Sequence, residues 1–254
     1  MRIVVKVGTS TLAHETGKLN IKRTNALCRV LSDIKNAGHE VILVSSGAIG
    51  MGIGKLGLKE KPKDIPTKQA AAAVGQCELM YTYDRTFTEY GHTVAQILLT
   101  GSDFSAEDRH ENFNNTIKRL LELGALPIIN ENDTIATDEI KVGDNDTLSA
   151  LVAVSVNADL LVILSDVDGL YSSDPHKDEN AKLIEEVHSI TDEIVTLAGG
   201  AGSSLGTGGM RTKLTAAKLC TAQGVDTVIA NGDNPALLYA IVQNKKGGYT
   251  RFFA

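Results

Sequence analysis

The sequence predicts an α/β fold in which a largely parallel sheet is covered by helices on both faces. Short apolar runs alternate along the chain with longer segments whose apolar residues recur at helical spacing. The runs are continuously apolar, which is typical of strands that are buried on both sides of a parallel sheet. These two observations favour a single α/β domain over an all-α or an all-β fold.

The elements follow from these runs and from the residues that end them. Gly38, Gly91, Gly124 and Gly224 each follow an amphipathic segment, as expected at helix C-termini. Strands are expected at 2–7, 41–44, 93–99, 127–130, 160–164 and 226–230. Helices are expected at about 21–37, 69–89, 107–123, 147–156, 210–223 and 235–242.

Composition excludes several classes of function. Hydrophobic residues make up 43% of the 254 residues, enough for a full core, and no apolar run approaches the ~20 residues of a membrane span. The net charge of -6 argues against a nucleic-acid partner, since proteins that bind phosphate backbones have a basic surface. Cys28, Cys77 and Cys220 are too few and too widely spaced for a disulfide framework or a metal site. Without a signal peptide, we expect a cytoplasmic protein with no membrane contact.

An acidic stretch at 129–146 joins the fourth predicted strand to the next helix. Its carboxylates belong to Glu131, Asp133, Asp138, Glu139, Asp144 and Asp146. A solvated surface loop is one interpretation. A binding site is favoured because the stretch leaves the end of a buried strand, where open α/β sheets bind ligands. It also leads directly into a helix N-terminus.

Polar residues also follow the other predicted strands. Lys6 precedes the turn after the first strand, and Ser46 and Gly47 follow the second. These residues are expected to face the ligand crevice, although a strand lysine can also extend to solvent and a serine can cap a helix. Ser165 and Asp166 follow the most apolar strand, a natural position for nucleotide contacts. The G-x-G-x-x-G pattern at 52–57 begins well past a strand and is interpreted as accidental.

A glycine-rich segment at 199–209 precedes Met210-Arg211-Thr212-Lys213. Such segments are often surface loops. Here the switch to a helix, with Lys213 in its first turn, favours a phosphate-binding loop instead. Two lysines, a glycine-rich anion loop and an acidic helix start suit phosphoryl transfer, which depends on positioning and on fixed positive charge. In this interpretation Lys6 and Lys213 supply that charge, Asp146 holds both lysines, and Mg²⁺ bridges the nucleotide phosphates.

Several motifs now support a family resemblance. They are Val5-Lys6-Val7-Gly8-Thr9-Ser10, Val44-Ser45-Ser46-Gly47-Ala48-Ile49, Asn130-Glu131-Asn132-Asp133, Lys141-Val142-Gly143-Asp144-Asn145-Asp146 and Gly206-Thr207-Gly208-Gly209-Met210-Arg211-Thr212-Lys213. Together they resemble the glutamate 5-kinases of the amino acid kinase family over essentially the whole chain.

The resemblance implies ATP-dependent phosphorylation of the L-glutamate γ-carboxylate to L-glutamate 5-phosphate, the first step of proline biosynthesis from glutamate. It implies feedback inhibition by proline and a homo-oligomer, either a dimer or a tetramer. The implied fold is a three-layer αβα sandwich with an open, mainly parallel central sheet. We expect one domain over residues 1–254, with an acceptor lobe at about 1–156, a nucleotide lobe at about 157–254 and no C-terminal PUA domain.

The resemblance also assigns roles to matching residues. The implied catalytic residues are Lys6, Lys213 and Asp146. The implied glutamate-binding residues are Ser46, Gly47, Asp133 and Asn145. The implied ATP-binding residues are Lys6, Gly8, Ser165, Asp166, Thr207, Gly208, Gly209, Met210, Arg211, Thr212 and Lys213. No protein ligand to a metal is implied, since the phosphates of ATP hold the Mg²⁺.

Two alternatives remain open at this point. Other members of the family act on N-acetylglutamate, aspartate, carbamate, UMP or isopentenyl phosphate. The acidic segment 131–133 argues for an acceptor that carries an ammonium group, rather than for a phosphorylated one. A non-catalytic sensor of nucleotides or amino acids is the other alternative, but a sensor has no need for both Lys6 and Lys213.

Overall fold

An eight-stranded sheet forms the centre of the protein. The computed structural model describes residues 1–14, 16, 18–136, 145–175, 177–198 and 209–254. The strand order is β3-β4-β2-β1-β5-β7-β8-β6. The pairing of β7 with β8 is antiparallel, and the other described pairs are parallel. The strands are β1 (Arg2–Val7), β2 (Glu40–Ser45), β3 (Val94–Leu99), β4 (Leu126–Glu131), β5 (Leu160–Ser165), β6 (Glu186–Val187), β7 (Asp226–Asn231) and β8 (Tyr249–Phe252).

Helices cover both faces of this sheet. On one face, Val5, Leu43 and Val162 belong to the same buried cluster as residues of α2, α4 and α9. On the other face, Ile42 and Ile163 share a cluster with residues of α5, α6 and α8. The predicted three-layer αβα sandwich with a mainly parallel sheet is therefore confirmed. The helices are α1 (Thr9–Leu12), α2 (Ile21–Asn36), α3 (Ala48–Leu56), α4 (Ile65–Thr88), α5 (Glu107–Glu122), α6 (Asp146–Ser155), α7 (Asp192–Ala198), α8 (Met210–Thr221) and α9 (Leu237–Val242), with a 3-10 turn at Gly101–Phe104.

Local sequence explains where most of these helices begin and end. The side chain of Asn20 accepts a hydrogen bond from the backbone N–H of Arg23 and caps α2. The four glycines predicted to end helices all have a positive φ, between 75° and 93°. Helix α4 begins at Ile65, earlier than the predicted residue 69, because Asp64 caps it and a proline fits in its first turn. None of the helices in the described ranges is long and apolar enough to span a membrane.

Helices α3 and α4 cross in direct backbone contact. A Cβ atom at Gly52 would lie 1.8 Å from the carbonyl oxygen of Ala71, and one at Gly75 would lie 1.8 Å from that of Ala48. The G-x-G-x-x-G pattern therefore lies mostly inside α3, where Gly52 serves helix packing and not nucleotide binding. The contact with α4 holds α3 in place, and α3 directly follows β2.

Gly52→Ala is expected to destabilise the protein by about 3 kcal/mol or more, because the new methyl group overlaps backbone atoms that cannot rotate away. Urea unfolding monitored by circular dichroism measures this loss. Gly50→Ala is the matched control in the same helix, since its Cβ would meet only a side-chain methyl carbon, Cγ2 of Thr9, at 3.6 Å. We expect that variant to be as stable as the wild type or more so. Equal stability of the two variants would contradict the close crossing.

The two halves of the chain occupy separate halves of the sheet. Strands β1 to β4 form one side, strands β5 to β8 form the other, and β1 pairs with β5 where the two sides meet. The chain leaves β1 toward one edge and leaves β5 toward the opposite edge. The carboxyl ends of β1 and β5 therefore form a topological switch point, where open α/β sheets bind ligands.

Candidate active site

Residues that were predicted to form the site lie at the carboxyl ends of adjacent strands. In the sheet register, Val7 at the end of β1 lies beside Ser45 on β2 and Leu164 on β5. Lys6 therefore lies one residue before the end of its strand. Ser46 and Ser165 are carried to the same edge of the sheet by the neighbouring strands. The parallel pairing brings together residues that are far apart in sequence.

Lys6, Asp146 and Lys213 form a buried lysine–aspartate cluster at this edge. The Nζ atom of Lys6 lies 2.7 Å from Oδ1 of Asp146, and the Nζ atom of Lys213 lies 3.1 Å from Oδ2. Asp146 is fully buried, while Lys6 and Lys213 are only 7% and 4% exposed. Asp146 begins α6 and Lys213 lies in the first turn of α8, and these two helices pack against each other.

The cluster keeps Asp146 ionised. Burial alone would raise the pKa of this carboxyl group. The charges of Lys6 and Lys213 outweigh burial, together with hydrogen bonds from Lys6 and Thr212, and they lower the pKa to about 2. The hydroxyl group of Thr212 donates to Oδ2 of Asp146 at 2.9 Å. Two ammonium groups around one carboxylate leave an excess of positive charge in a place with little water to screen it.

Of the residues predicted to bind ATP, Gly8 and Thr212 lie at this cluster. A Cβ atom at Gly8 would lie 3.6 Å from Nζ of Lys6, so the absence of a side chain there keeps that ammonium group open. Ser165 is buried and its hydroxyl group donates to the exposed Asp166. Gly209 precedes α8, Met210 is buried and Arg211 is exposed. Thr207 and Gly208 lie outside the described residues, so their predicted role stays a prediction.

An amide network joins the predicted acceptor residues. Asn145 precedes α6, and its Nδ2 atom lies 3.0 Å from Oγ of Ser46, 2.7 Å from the carbonyl oxygen of Ser45 and 2.9 Å from Oδ1 of Asn130. Asn130 in turn donates to Oε1 of Gln76 at 2.9 Å. The structure therefore brings Ser46 and Asn145 together. Gly47, which begins the turn into α3, has a φ of 98°, a conformation that favours glycine.

Asp133 lies in the turn that follows β4. Burial raises its pKa to about 6, and its side chain is only partly exposed. Within the described parts of the chain, no hydrogen bond or ion pair joins Asp133 to Ser46 or Asn145. The acidic residues Asp138, Glu139 and Asp144 lie outside the described residues. A partly buried carboxylate of this kind is suited to receive a cationic group from a ligand.

Sequence reasoning assigned no role to Gln76 and only a general one to Asn130. Gln76 lies on α4 among Ala72, Leu79 and Tyr83, which are buried and recur at helical spacing. A polar residue on an otherwise apolar helix face was the signal that could have identified it. The hydrogen bond from Thr212 to Asp146 was not predicted either, because Thr212 was expected to contact ATP.

Comparisons with known proteins identify the family of this chain. Residues 1–231 match the model of the amino acid kinase family. A glutamate 5-kinase from Clostridium perfringens is 56% identical over 257 residues, covering 100% of this chain and 95% of the relative. One from Caldanaerobacter subterraneus is 55% identical, covering 98% of this chain and 67% of the longer relative.

A solved structure is similar in fold. The UMP kinase from Ureaplasma parvum superposes with a TM-score of 0.68 at 17% identity, covering 100% of this chain and 98% of the kinase. At this identity the likeness concerns the fold alone. The family model covers most of the chain, and the two relatives align with nearly all of it. This chain belongs to the amino acid kinase family.

Proposed function

We propose that this protein transfers the γ-phosphoryl group of ATP to the γ-carboxylate of L-glutamate, forming L-glutamate 5-phosphate and ADP. This reaction is the first step of proline biosynthesis from glutamate. The observation that carries the proposal is the buried cluster in which Asp146 holds Lys6 and Lys213 where β1 meets β5. The full-length likeness to glutamate 5-kinases supports glutamate as the acceptor.

The chemistry needs positioning and positive charge more than it needs a base. A glutamate γ-carboxylate is already ionised at neutral pH, because its pKa is about 4.3. One of its oxygens attacks the γ-phosphorus in line, while the bond from that phosphorus to the β,γ-bridging oxygen breaks and ADP leaves. In the proposal, Lys6 and Lys213 stabilise the charge that spreads over the transferring phosphoryl oxygens. Asp146 keeps both ammonium groups in place.

The acceptor residues are proposed to lie on the side of β1 to β4, within about 1–156. Asp133 is proposed to pair with the α-ammonium group of glutamate, while Ser46, Gly47 and Asn145 hold its polar groups. The nucleotide is proposed to bind on the side of β5 to β8, against Ser165, Asp166 and 207–213. It is also proposed to contact Gly8, which follows β1 where the two sides meet. The position of the cluster at the seam between the two sides supports this division.

Mg²⁺ is proposed to enter with ATP. Proteins bind Mg²⁺ through one or two carboxylates and complete its shell with water and substrate phosphates. We propose, as the resemblance implies, that the phosphate oxygens of ATP would hold this ion, which would neutralise part of their charge. Inhibition by proline and assembly as a dimer or tetramer are proposed from the resemblance alone. A cytoplasmic location is proposed from the sequence.

The proposed reaction is tested by incubating the purified protein with ATP, Mg²⁺ and a panel of acceptors, with hydroxylamine present. Hydroxylamine traps an acyl phosphate as a coloured hydroxamate. We expect hydroxamate with L-glutamate, and none with aspartate, N-acetylglutamate or carbamate. If hydroxamate formed with another acceptor and not with L-glutamate, that acceptor would be the substrate. A folded protein that binds ATP but turns over none of these acceptors would overturn the enzymatic proposal in favour of a sensor.

Asp133→Asn is expected to raise the KM for glutamate and to raise stability at pH 7.5. The folded-state pKa of Asp133 lies above its ordinary value of 3.8, so the folded protein holds this proton more tightly than the unfolded chain. Ionisation of Asp133 therefore destabilises the fold as the pH rises from about 4 to 6 and beyond. Melting temperatures at pH 7.5 and pH 4 measure this effect, and the gain in the variant should be confined to pH 7.5.

The same substitution should alter the pH profile of glutamate use. In the free wild-type enzyme, kcat/KM for glutamate should fall as Asp133 gains a proton below about pH 6, and the variant should lack this fall. The KM for ATP should stay near its wild-type value in the variant. A rise in the ATP KM instead would contradict the assignment of Asp133 to the acceptor.

A further inference from the structure

The three side-chain amides of Gln76, Asn130 and Asn145 form a network in which two backbone groups identify each amide nitrogen and oxygen. The first is the carbonyl oxygen of Ser45, which can only accept a hydrogen bond. The side-chain atom of Asn145 at 2.7 Å from it must therefore be the donor Nδ2. The carbonyl oxygen Oδ1 of Asn145 is left on the other side of its amide group, and it receives no hydrogen bond within the described ranges.

The second fixed group is the backbone N–H of Glu131, which can only donate. It donates to Oδ1 of Asn130 at 2.9 Å, and Nδ2 of Asn145 donates to the same oxygen. The orientation of Asn130 is therefore determined, and its Nδ2 atom must be the group that faces Gln76. A donor at 2.9 Å requires an acceptor, so Gln76 presents its oxygen Oε1. The three amides thus have one consistent arrangement.

Gln76 is built into the helical layer under the site. It is 9% exposed and lies on α4, one residue after Gly75 at the crossing with α3. Its Nε2 atom is buried without a hydrogen-bond partner among the described residues. The interaction that links this side chain to the site is therefore the one that its oxygen accepts from Asn130. A buried donor such as Nδ2 of Asn130 is costly to leave unpaired, so Gln76 holds Asn130 in this orientation.

We propose that Gln76 is a positioning residue for the acceptor site. Its oxygen holds Asn130, and Asn130 holds the amide group of Asn145 with Oδ1 turned away from Ser45 and available to the α-ammonium group of glutamate. The inference rests on the proposed function, since it assigns the acceptor to this site. It adds a residue of α4 that does not touch the substrate but fixes an amide that does.

Gln76→Met and Gln76→Glu separate this role from general packing. Methionine has a similar length but no strong acceptor, so Nδ2 of Asn130 loses its partner. Asn130 would then hold the amide group of Asn145 less firmly. We expect the glutamate KM to rise roughly 5–50-fold in Gln76→Met, the scale of one buried hydrogen-bond partner lost. The ATP KM should stay near its wild-type value. Gln76→Glu keeps a carbonyl or carboxylate acceptor in either ionisation state, so it should keep a glutamate KM close to that of the wild type.

Gln69→Met is the matched control, since Gln69 lies two turns earlier on the same helix and is more exposed. Wild-type hydroxamate formation with glutamate is measured first, and its absence would be a failure of the proposed function and not of this inference. With an active wild type, an unchanged glutamate KM in Gln76→Met would overturn the inference. Equal rises in the glutamate and ATP KM would do so as well, because that pattern indicates a structural role only.

Gln76→Glu keeps the inference testable if Gln76→Met does not fold. A raised glutamate KM in a folded Gln76→Glu variant would overturn it, because that result would assign the function of Gln76 to its Nε2 donor. Melting temperatures of all variants are measured beside the kinetics. If Gln76 positions Asn130 through an acceptor oxygen, the Gln76→Glu variant should keep the affinity for L-glutamate that the Gln76→Met variant loses.

Discussion

Lys213→Met is expected to lower kcat roughly 10²–10³-fold, the scale of removing one preorganised charge from a transition state. The ammonium group of Lys213 is held 3.1 Å from Asp146 and is nearly excluded from water. This ammonium group therefore does not have to move when charge develops on the transferring phosphoryl group. Methionine keeps much of the apolar stem, so the packing of α8 against α6 should remain. Steady-state assays with saturating ATP and glutamate measure the effect.

Lys218→Met is the matched control for this prediction. Lys218 lies on the same helix but is exposed, so its loss should leave kcat near the wild-type value. The KM values of Lys213→Met should change less than kcat, because the interaction is proposed to strengthen in the transition state. If Lys213→Met retained most of the wild-type kcat, the mechanism assigned to the lysine–aspartate cluster would be wrong.

Asp146→Asn is expected to destabilise the folded protein by about 3–5 kcal/mol, the usual effect of removing one partner from a buried ion pair. The substitution leaves two buried ammonium groups around a neutral amide, and one of the amide hydrogens would point toward a cation. Urea unfolding at pH 7 measures the loss. Activity should fall as well, since both lysines lose the group that positions them.

The pH dependence provides a second measurement on Asp146→Asn. Folding lowers the pKa of Asp146 from 3.8 to about 2, so its ionisation stabilises the fold above pH 4 and this contribution is lost as the pH falls toward 2. The difference in stability between wild type and variant should therefore narrow over that range. Asp233→Asn is the control, because its partner Arg23 and Asp233 itself are partly exposed and such pairs contribute about 1 kcal/mol or less. Equal losses in the two variants would contradict the buried cluster.

The apolar runs and the glycines that end helices were enough to predict most of the sheet and both helical layers. Helix α3 was missed because its glycines argue against a helix, and its contact with α4 overrides that local preference. Strand β8 was missed because it is short, contains polar residues and pairs antiparallel to β7. In both cases the deciding interaction is with a distant part of the chain.

Part of the site could also be predicted from the sequence, and part of it could not. Lys6 lies near the end of a strand, Ser46 follows one, and Asn145 and Asp146 lie at the start of a helix. A parallel sheet was enough to predict that these residues converge. Their distances and burial required the structure. Gln76 could not be assigned from sequence order, because its partner Asn130 lies on a different element and the link depends on how α4 packs over the sheet. The glycine-rich segment before residue 209 stays a prediction.

The lysine–aspartate cluster also has a consequence for how the chain acquires activity. Its members come from the first strand, from the middle of the chain and from a late helix, so no short segment of the sequence contains the whole cluster. Contacts of such long range form slowly, because a large loop must close before they can stabilise the chain. During synthesis, Lys6 and Asp146 leave the ribosome well before Lys213. We therefore expect enzymatic activity to return during refolding only after the two halves of the sheet have docked.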